Sequence, residues 1–410
     1  MLEQLYAHLD SQQDTVIHWQ REMTSRPALG PENNGTGEEE KAAWLAFELA
    51  RIGITDIRWH PCPDNRVPSG FRPNISARVP GKNTRTLWII SHLDVVPPGE
   101  LQLWQSPPYE LRVEGDHIYG RGVEDNQQAI VTGMLAAEAL ISKRQAPDLS
   151  LGLLFVADEE TGMHFGLPHV LESAPDLIGR DDLILVPDIG NHSGSMVEIA
   201  EKSCLWLRLT VIGKQCHAST PEKGINSLVA ASACVLELER LYRVFRKKDP
   251  MFSPAWSTFV PSKKEANVEN INTLPGHDVF YLDCRVLPAY SLDDVEKEVC
   301  AIAAEVGSRY KAGIKVEIVH RLQAPKATPA DSPTVRRLVT ALKNLRGIDA
   351  KLCGVGAQTV AACLRHKKLH VAAWGTLMPN AHSPNERSRI SATIADAKVV
   401  LTMLFDERTA

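Results

Sequence analysis

A chain of 410 residues is longer than one hydrophobic core usually organises, so we expect two domains. With 44% hydrophobic and 23% charged residues, the composition excludes a disordered or fibrous chain. The 45 Lys and Arg against 50 Asp and Glu give a formal charge of -5 without a basic domain, which argues against nucleic acid or a membrane as partner and favours small molecules.

The N-terminal residues 1–23 are predicted to form an amphipathic helix. They lack the basic start and apolar stretch of a secretory signal, and no segment is long and apolar enough to span a membrane. We therefore expect a cytoplasmic protein. The eight cysteines include no C-x-x-C pair, so reduced thiols are expected rather than a zinc ribbon or a disulfide framework.

Helical and strand patterns alternate along the first half of the chain. Apolar runs typical of buried strands occur at 85–94, 149–157 and 183–186, and helical patterns occur at 38–53 and 125–142. This alternation predicts an α/β layer architecture, in which ligands bind outside the carboxyl ends of the strands.

The pattern changes at about residue 203, where strands of alternating polarity replace the continuous apolar runs. We predict a small α+β domain over residues 203–319, inserted into a larger domain. Residues 1–202 and 320–410 are predicted to form that larger, discontinuous domain.

Four short segments carry the clearest chemistry: SHLD (91–94), GRGVEDNQQ (120–128), ADEETG (157–162) and PNAHSPNE (379–386). Imidazole and carboxylate groups together suit zinc, cobalt or manganese, whereas calcium would require oxygen ligands alone. A single histidine at a strand end, such as His92, is more often structural. The carboxylate two residues later favours a ligand, because such groups commonly orient a ligating imidazole.

The adjacent acids Glu159 and Glu160 follow a predicted buried strand. Such a pair is usually a solvated turn. If it is buried, its like charges need a cation, and one carboxylate can bind metal while the other takes a proton from metal-bound water. That division of roles indicates hydrolysis.

The order of these motifs, together with VPDIGN (186–191) and GKQCHASTPEKGINS (213–227), resembles the dinuclear zinc peptidase and deacylase family. This family includes succinyl-diaminopimelate desuccinylase, acetylornithine deacetylase, aminoacylase and carnosine dipeptidases. The resemblance covers nearly the whole chain. It implies a zinc-peptidase-like α/β/α catalytic domain, an inserted α+β lid and dimerisation domain, a homodimer, and two divalent metal ions. Zinc is expected first, with cobalt or manganese as alternatives.

By the same resemblance, five side chains would hold the metals. They are Asp125 as the bridging ligand, His92 and Asp188 on one metal, and Glu160 and His382 on the other.

Three further residues would take part in catalysis according to this resemblance. Asp94 would orient the neighbouring metal-ligating imidazole. Glu159 would act as the general base, taking a proton from the metal-bridging water and passing it to the departing nitrogen. His217 would support the oxyanion from the partner subunit, although by itself it is more simply read as a surface histidine in a turn.

Substrate contacts are predicted at Asn272, Arg285 and Gly356. The segments NTLPG and DCR resemble the part of the family that holds the substrate's carboxylate, and a guanidinium can bind a carboxylate through two hydrogen bonds. A structural ion pair between Arg285 and Asp283 is the alternative. The loop that contains Gly356 is a candidate for backbone N–H donors, because glycines allow close approach.

The predicted function is hydrolysis of the amide bond of a small N-acyl amino acid, with a dipeptidase or aminopeptidase as the alternative. Residues 126–128 are Asn-Gln-Gln where many members have Met-Lys-Gly, a change that removes a charge but no ligand. At Asp188 deacylases tend to carry Glu, and dipeptidases tend to carry Asp. A catalytically inactive relative is a third reading, but no ligand or base is missing from the motifs.

Overall fold

The computed structural model describes residues 1–405. The chain divides into two compact units. The first comprises Met1–Ile199, Thr328–Leu352 and the residues from Thr359 onward, and the second comprises Ala200–Ala327 and Cys353–Gln358.

The α-helices of the described residues are α1 (Leu2–Asp10), α2 (Gln13–Thr24), α3 (Glu39–Arg51), α4 (Gln127–Ser142), α5 (Leu167–Ser173), α6 (Ser227–Glu237), α7 (Leu241–Val244), α8 (Leu292–Tyr310), α9 (Pro333–Arg346), α10 (Val360–His366) and α11 (Ile390–Leu404). The strands are β1 (Asp56–Trp59), β2 (Cys62–Pro63), β3 (Phe71–Arg72), β4 (Ile75–Val79), β5 (Thr86–His92), β6 (Arg112–Glu114), β7 (His117–Tyr119), β8 (Ser150–Val156), β9 (Leu183–Asn191), β10 (Met196–Glu201), β11 (Ser203–Ile212), β12 (Cys216–His217), β13 (Thr258–Lys264), β14 (Thr273–Leu274), β15 (His277–Val286), β16 (Gly313–Leu322), β17 (Lys351–Val355), β18 (Val371–Thr376) and β19 (Arg387–Arg389).

An eight-stranded mixed sheet organises the first unit, in the order β1-β4-β8-β5-β9-β18-β10-β17. Its central strands β8, β5, β9 and β18 run parallel. Every residue of β5 and β8 is buried, which is typical of strands covered on both faces and explains their continuous apolar sequences.

Helices cover the two faces of this sheet. On one face, Ile90 and Leu154 pack in a cluster that includes Leu167 of α5 and Leu364 of α10. On the other face lies α4, whose Gly133 closely approaches Leu153 and Ile89. Successive residues of a strand point to opposite faces. The predicted α/β/α architecture is therefore confirmed.

The second unit contains a four-stranded antiparallel sheet, β13-β15-β11-β16. Leu205, Leu207 and Leu209 of β11 are buried with apolar side chains of α6 and α8, whereas the intervening Trp206 is exposed. This alternation follows from covering one face of a sheet with helices, and it confirms the predicted α+β character.

The N-terminal segment is two helices rather than the one predicted. At the break, the backbone N–H of Ser11 donates to the carbonyl oxygen of His8 at 3.1 Å, and its hydroxyl donates to the same oxygen at 2.7 Å. Serine readily ends helices through such local hydrogen bonds.

Membrane and disulfide features can be stated for residues 1–405. Within this range, no helix has the length and apolar character required to cross a bilayer. The eight cysteines all lie within this range, and none forms a disulfide there.

Candidate metal centre

Carboxylates and imidazoles from distant segments meet in the first unit. The Nε2 atom of His92 lies 2.8 Å from Oδ1 of Asp125 and 3.7 Å from Oδ1 of Asp188. The Nε2 atom of His382 lies 3.1 Å from Oδ2 of Asp125 and 3.0 Å from Oε1 of Glu160. One oxygen of Asp125 therefore lies beside His92 and the other beside His382. The carboxylate of Asp188 also lies near His92, and that of Glu160 near His382.

The sheet explains why these side chains meet. His92 is the last residue of β5, Glu160 follows β8, and Asp188 lies in the second half of β9. Parallel strands bring their carboxyl ends to one edge of a sheet, where ligand sites of α/β folds lie. Asp125 comes from the loop before α4, and His382 from the loop after β18.

Asp94 organises two parts of this cluster. Its carboxylate accepts the backbone N–H groups of Glu159 at 3.0 Å and Glu160 at 2.9 Å. Its backbone oxygen accepts a hydrogen bond from Nδ1 of His92 at 3.0 Å. A proton held on Nδ1 leaves Nε2 as the nitrogen that can bind a cation.

The pKa values show an excess of buried carboxylate. Burial raises the pKa of Glu160 to about 7. Burial also raises the pKa of Glu159 well above its ordinary value; nearby His92 opposes this rise, and Asp188 reinforces it. Hydrogen bonds to Asp125 and Glu160 raise the pKa of His382 to about 10. The cluster therefore favours positive charge, which divalent cations can supply.

The donor set fits such cations. Three groups of side chains each have donor atoms within 4.8 Å of one another. They are His92 with Asp125 and Asp188, His92 with Glu159 and Glu160, and Asp125 with Glu160 and His382. Mixed nitrogen and oxygen donors suit zinc, cobalt or manganese.

Residues 126–128, interpreted from the sequence as a departure from the family that the motifs resemble, are held by hydrogen bonds. The Asn126 amide donates to Oδ1 of Asp188 at 2.7 Å, and its oxygen accepts from the His92 backbone N–H at 3.3 Å. Gln127 accepts from the Thr24 hydroxyl. Asn126 therefore holds two of the candidate ligands, Asp188 and His92, through hydrogen bonds. The sequence alone did not indicate this role.

The other predicted site residues belong to the second unit, where His217 and Asn272 are neighbours. His217 lies opposite Thr273 in the pairing of β12 and β14, and the Asn272 carbonyl oxygen accepts from the Ala218 N–H at 2.8 Å. His217 is exposed. Its Nδ1 accepts from the Ser219 backbone N–H at 3.1 Å, which places the proton of the neutral ring on Nε2.

Arg285 and Gly356 contact each other. The guanidinium of Arg285 donates to both carboxylate oxygens of Asp283, at 2.8 and 3.1 Å, and to the Gly356 carbonyl oxygen at 3.1 Å. The ion pair considered from the sequence is therefore present. Gly356 contributes its carbonyl oxygen to this contact, and the N–H donor role suggested by its loop stays a prediction.

Sequence reasoning missed two buried titratable groups near the centre. The Lys41 ammonium donates to the Leu93 carbonyl oxygen at 2.9 Å, and burial lowers its pKa to about 8. Glu124 accepts the Met378 N–H, and burial raises its pKa to about 8. Lys41 lies four residues before Leu45 on the buried face of α3, so its position within the apolar stripe was the available signal.

Comparisons with known proteins give the chain's relatives. The family described as Peptidase family M20/M25/M40 matches residues 88–406. An uncharacterised metallohydrolase from Methanocaldococcus jannaschii is 37% identical over 405 residues, covering 95% of this chain and 99% of its own length. A succinyl-diaminopimelate desuccinylase from Acidovorax ebreus is 26% identical over 294 residues, covering 70% and 73%. The crystal structure of human carnosine dipeptidase 1 shares the fold, with a TM-score of 0.76 and 16% identity over 98% of both chains.

Proposed function

The chain belongs to peptidase family M20/M25/M40 and is a metal-dependent hydrolase of amide or peptide bonds; we propose that its substrate is a small N-acyl amino acid. The observation that supports its hydrolytic chemistry is the convergence of His92, Asp125, Glu160, Asp188 and His382 around two adjacent groups of donor atoms. These five side chains would hold two divalent cations, with Asp125 as a ligand of both.

The proposed chemistry divides the work between metals and side chains. When bound, divalent cations would polarise the scissile carbonyl and lower the pKa of the water they bind. Glu159 takes the proton of the attacking water and delivers it to the departing nitrogen. Its carboxylate has an oxygen within 4.8 Å of the donor atoms of His92 and Glu160, and Asp94 holds its backbone.

The substrate class is supported by the desuccinylase relative and by the sequence motifs. Arg285 is the proposed contact for the substrate's carboxylate, assisted by Asn272 and Gly356, and the Asp283 ion pair holds its guanidinium in one orientation. The second candidate is a dipeptide, which Asp188 favours because dipeptidases of this family tend to carry Asp at that position.

Trials with defined substrates separate the two candidates. Zinc-loaded protein and its cobalt and manganese forms are assayed with N-succinyl-diaminopimelate, N-acetylornithine, other acyl amino acids and a panel of dipeptides. We expect N-acyl amino acids to have the highest kcat/KM. If the protein hydrolyses dipeptides but does not hydrolyse acyl amino acids, this substrate is contradicted and the second candidate is established.

We also propose a homodimer in which the inserted domain, residues 203–319, is the dimerisation and lid domain. The exposed His217 has its Nε2 proton available to donate, which suits an oxyanion in the partner subunit. Light scattering during turnover should give twice the chain mass. A fully active monomer would contradict the proposed role of His217.

A further inference from the structure

A buried carboxylate outside the proposed ligand set holds the loop that carries Asp125. Glu386 is fully buried. Its Oε1 accepts the backbone N–H groups of Glu124 at 2.9 Å and Asp125 at 3.1 Å. Its Oε2 accepts from Nη1 of Arg121 at 2.6 Å and from the N–H of Gly122 at 3.0 Å.

These four bonds connect two separate motifs. Glu386 ends the segment that contains His382, and its partners lie in the segment before α4. The backbone N–H of Gly120 also donates to the Glu386 carbonyl oxygen, at 3.1 Å. Both the side chain and the backbone of Glu386 therefore fix the loop from Gly120 to Asp125 against the segment that contains His382.

We propose that Glu386 is a positioning residue for the metal centre, which aims the two oxygens of Asp125 at the two metal positions. Asp125 must present one oxygen beside His92 and the other beside His382. A small rotation of its backbone would misplace both oxygens. Because Glu386 binds the N–H of Asp125 itself, it controls that rotation directly.

Both oxygens of the Glu386 side chain must accept hydrogen bonds for this role. A carboxylate accepts at both oxygens. A glutamine would turn its NH₂ group towards either the N–H groups of Glu124 and Asp125 or the donors of Arg121 and Gly122, leaving donors facing each other.

The test measures metal affinity without substrate. This inference rests on the proposed metal centre, but an error in the proposed substrate would leave the measurement unaffected. Zn²⁺ binding to the full chain is measured by competition with a chromophoric chelator. We expect Glu386→Gln to weaken binding by about 10–100-fold, as is usual when a group that orients metal ligands is removed.

The matched control is Glu198→Gln. Glu198 is also fully buried and pairs with an arginine. Its two carboxylate oxygens accept hydrogen bonds from the two terminal nitrogens of Arg365, each at 2.8 Å. Both variants should lower Tm, but Glu198→Gln should bind Zn²⁺ like the wild type. Equal weakening in both variants, or unchanged affinity in Glu386→Gln, would overturn the proposal.

Glu386→Asp keeps the test decisive if the glutamine variant does not fold. It retains the charge beside Arg121 but withdraws the carboxylate by one methylene, so it cannot reach both sets of donors. A folded Glu386→Asp protein is expected to bind Zn²⁺ more weakly than the wild type. Wild-type affinity in this variant would overturn the proposal.

Discussion

Glu159→Gln is expected to lower kcat by about 10²–10⁴-fold, the usual contribution of a general acid–base group, while the protein keeps its bound metal. Glutamine preserves the size of the side chain but cannot take a proton. The backbone N–H of residue 159 would still donate to Asp94, so the loop geometry should persist. Steady-state kinetics on zinc-loaded protein, with metal content by mass spectrometry, measures both quantities.

Two outcomes would contradict the role of Glu159. One is a kcat within a few-fold of the wild type. The other is a loss of bound metal in the same proportion as the fall in kcat, which would make Glu159 a metal ligand. The matched control is Glu172→Gln, an exposed glutamate of α5, which should leave kcat and metal content unchanged.

Asp125→Ala is expected to remove turnover and to release both metal ions. Its two oxygens lie beside different imidazoles, 2.8 Å from His92 and 3.1 Å from His382, so one substitution removes a ligand from each metal. Bound metals supply several kcal/mol of transition-state stabilisation, and the rate should therefore fall by at least about 10³-fold. Metal content after gel filtration is the measurement.

The bridging role predicts a difference between ligand variants. His92→Ala and His382→Ala each remove a ligand from one metal, so each should retain more metal than Asp125→Ala. The control Asp116→Asn changes an exposed aspartate that accepts from the Ser391 N–H and should bind metal normally. Retention of both ions by Asp125→Ala would contradict a bridging carboxylate.

Strands and helices with strong apolar patterns could be predicted from the sequence. β5 and β8 have continuous apolar sequences because both faces of these strands are buried. The sequence of β11 alternates because only one of its faces is buried. The break between α1 and α2 was missed because the prediction followed the apolar periodicity; Ser11, whose local hydrogen bonds end α1, was the available signal. The predicted domain boundaries, 1–202 with 320–410 and 203–319, stay a prediction.

Candidate ligands could be found from the sequence because each is a side chain of recognisable metal chemistry in a motif. Of the groups that hold them, only Asp94 was predicted from the sequence. Glu386 and Lys41 act through backbone N–H and carbonyl groups, and backbone partners leave no residue-type pattern. Asn126 was noticed only as a departure from the family, whereas the structure shows it bonded to Asp188.

The most direct test of the account is anomalous X-ray diffraction from crystals of the zinc-loaded protein, recorded on both sides of the zinc absorption edge. Two peaks about 3.5–4 Å apart are predicted, with Asp125 between them, one peak beside His92 and Asp188 and the other beside Glu160 and His382. A single peak, or peaks away from these five side chains, would contradict the dinuclear centre.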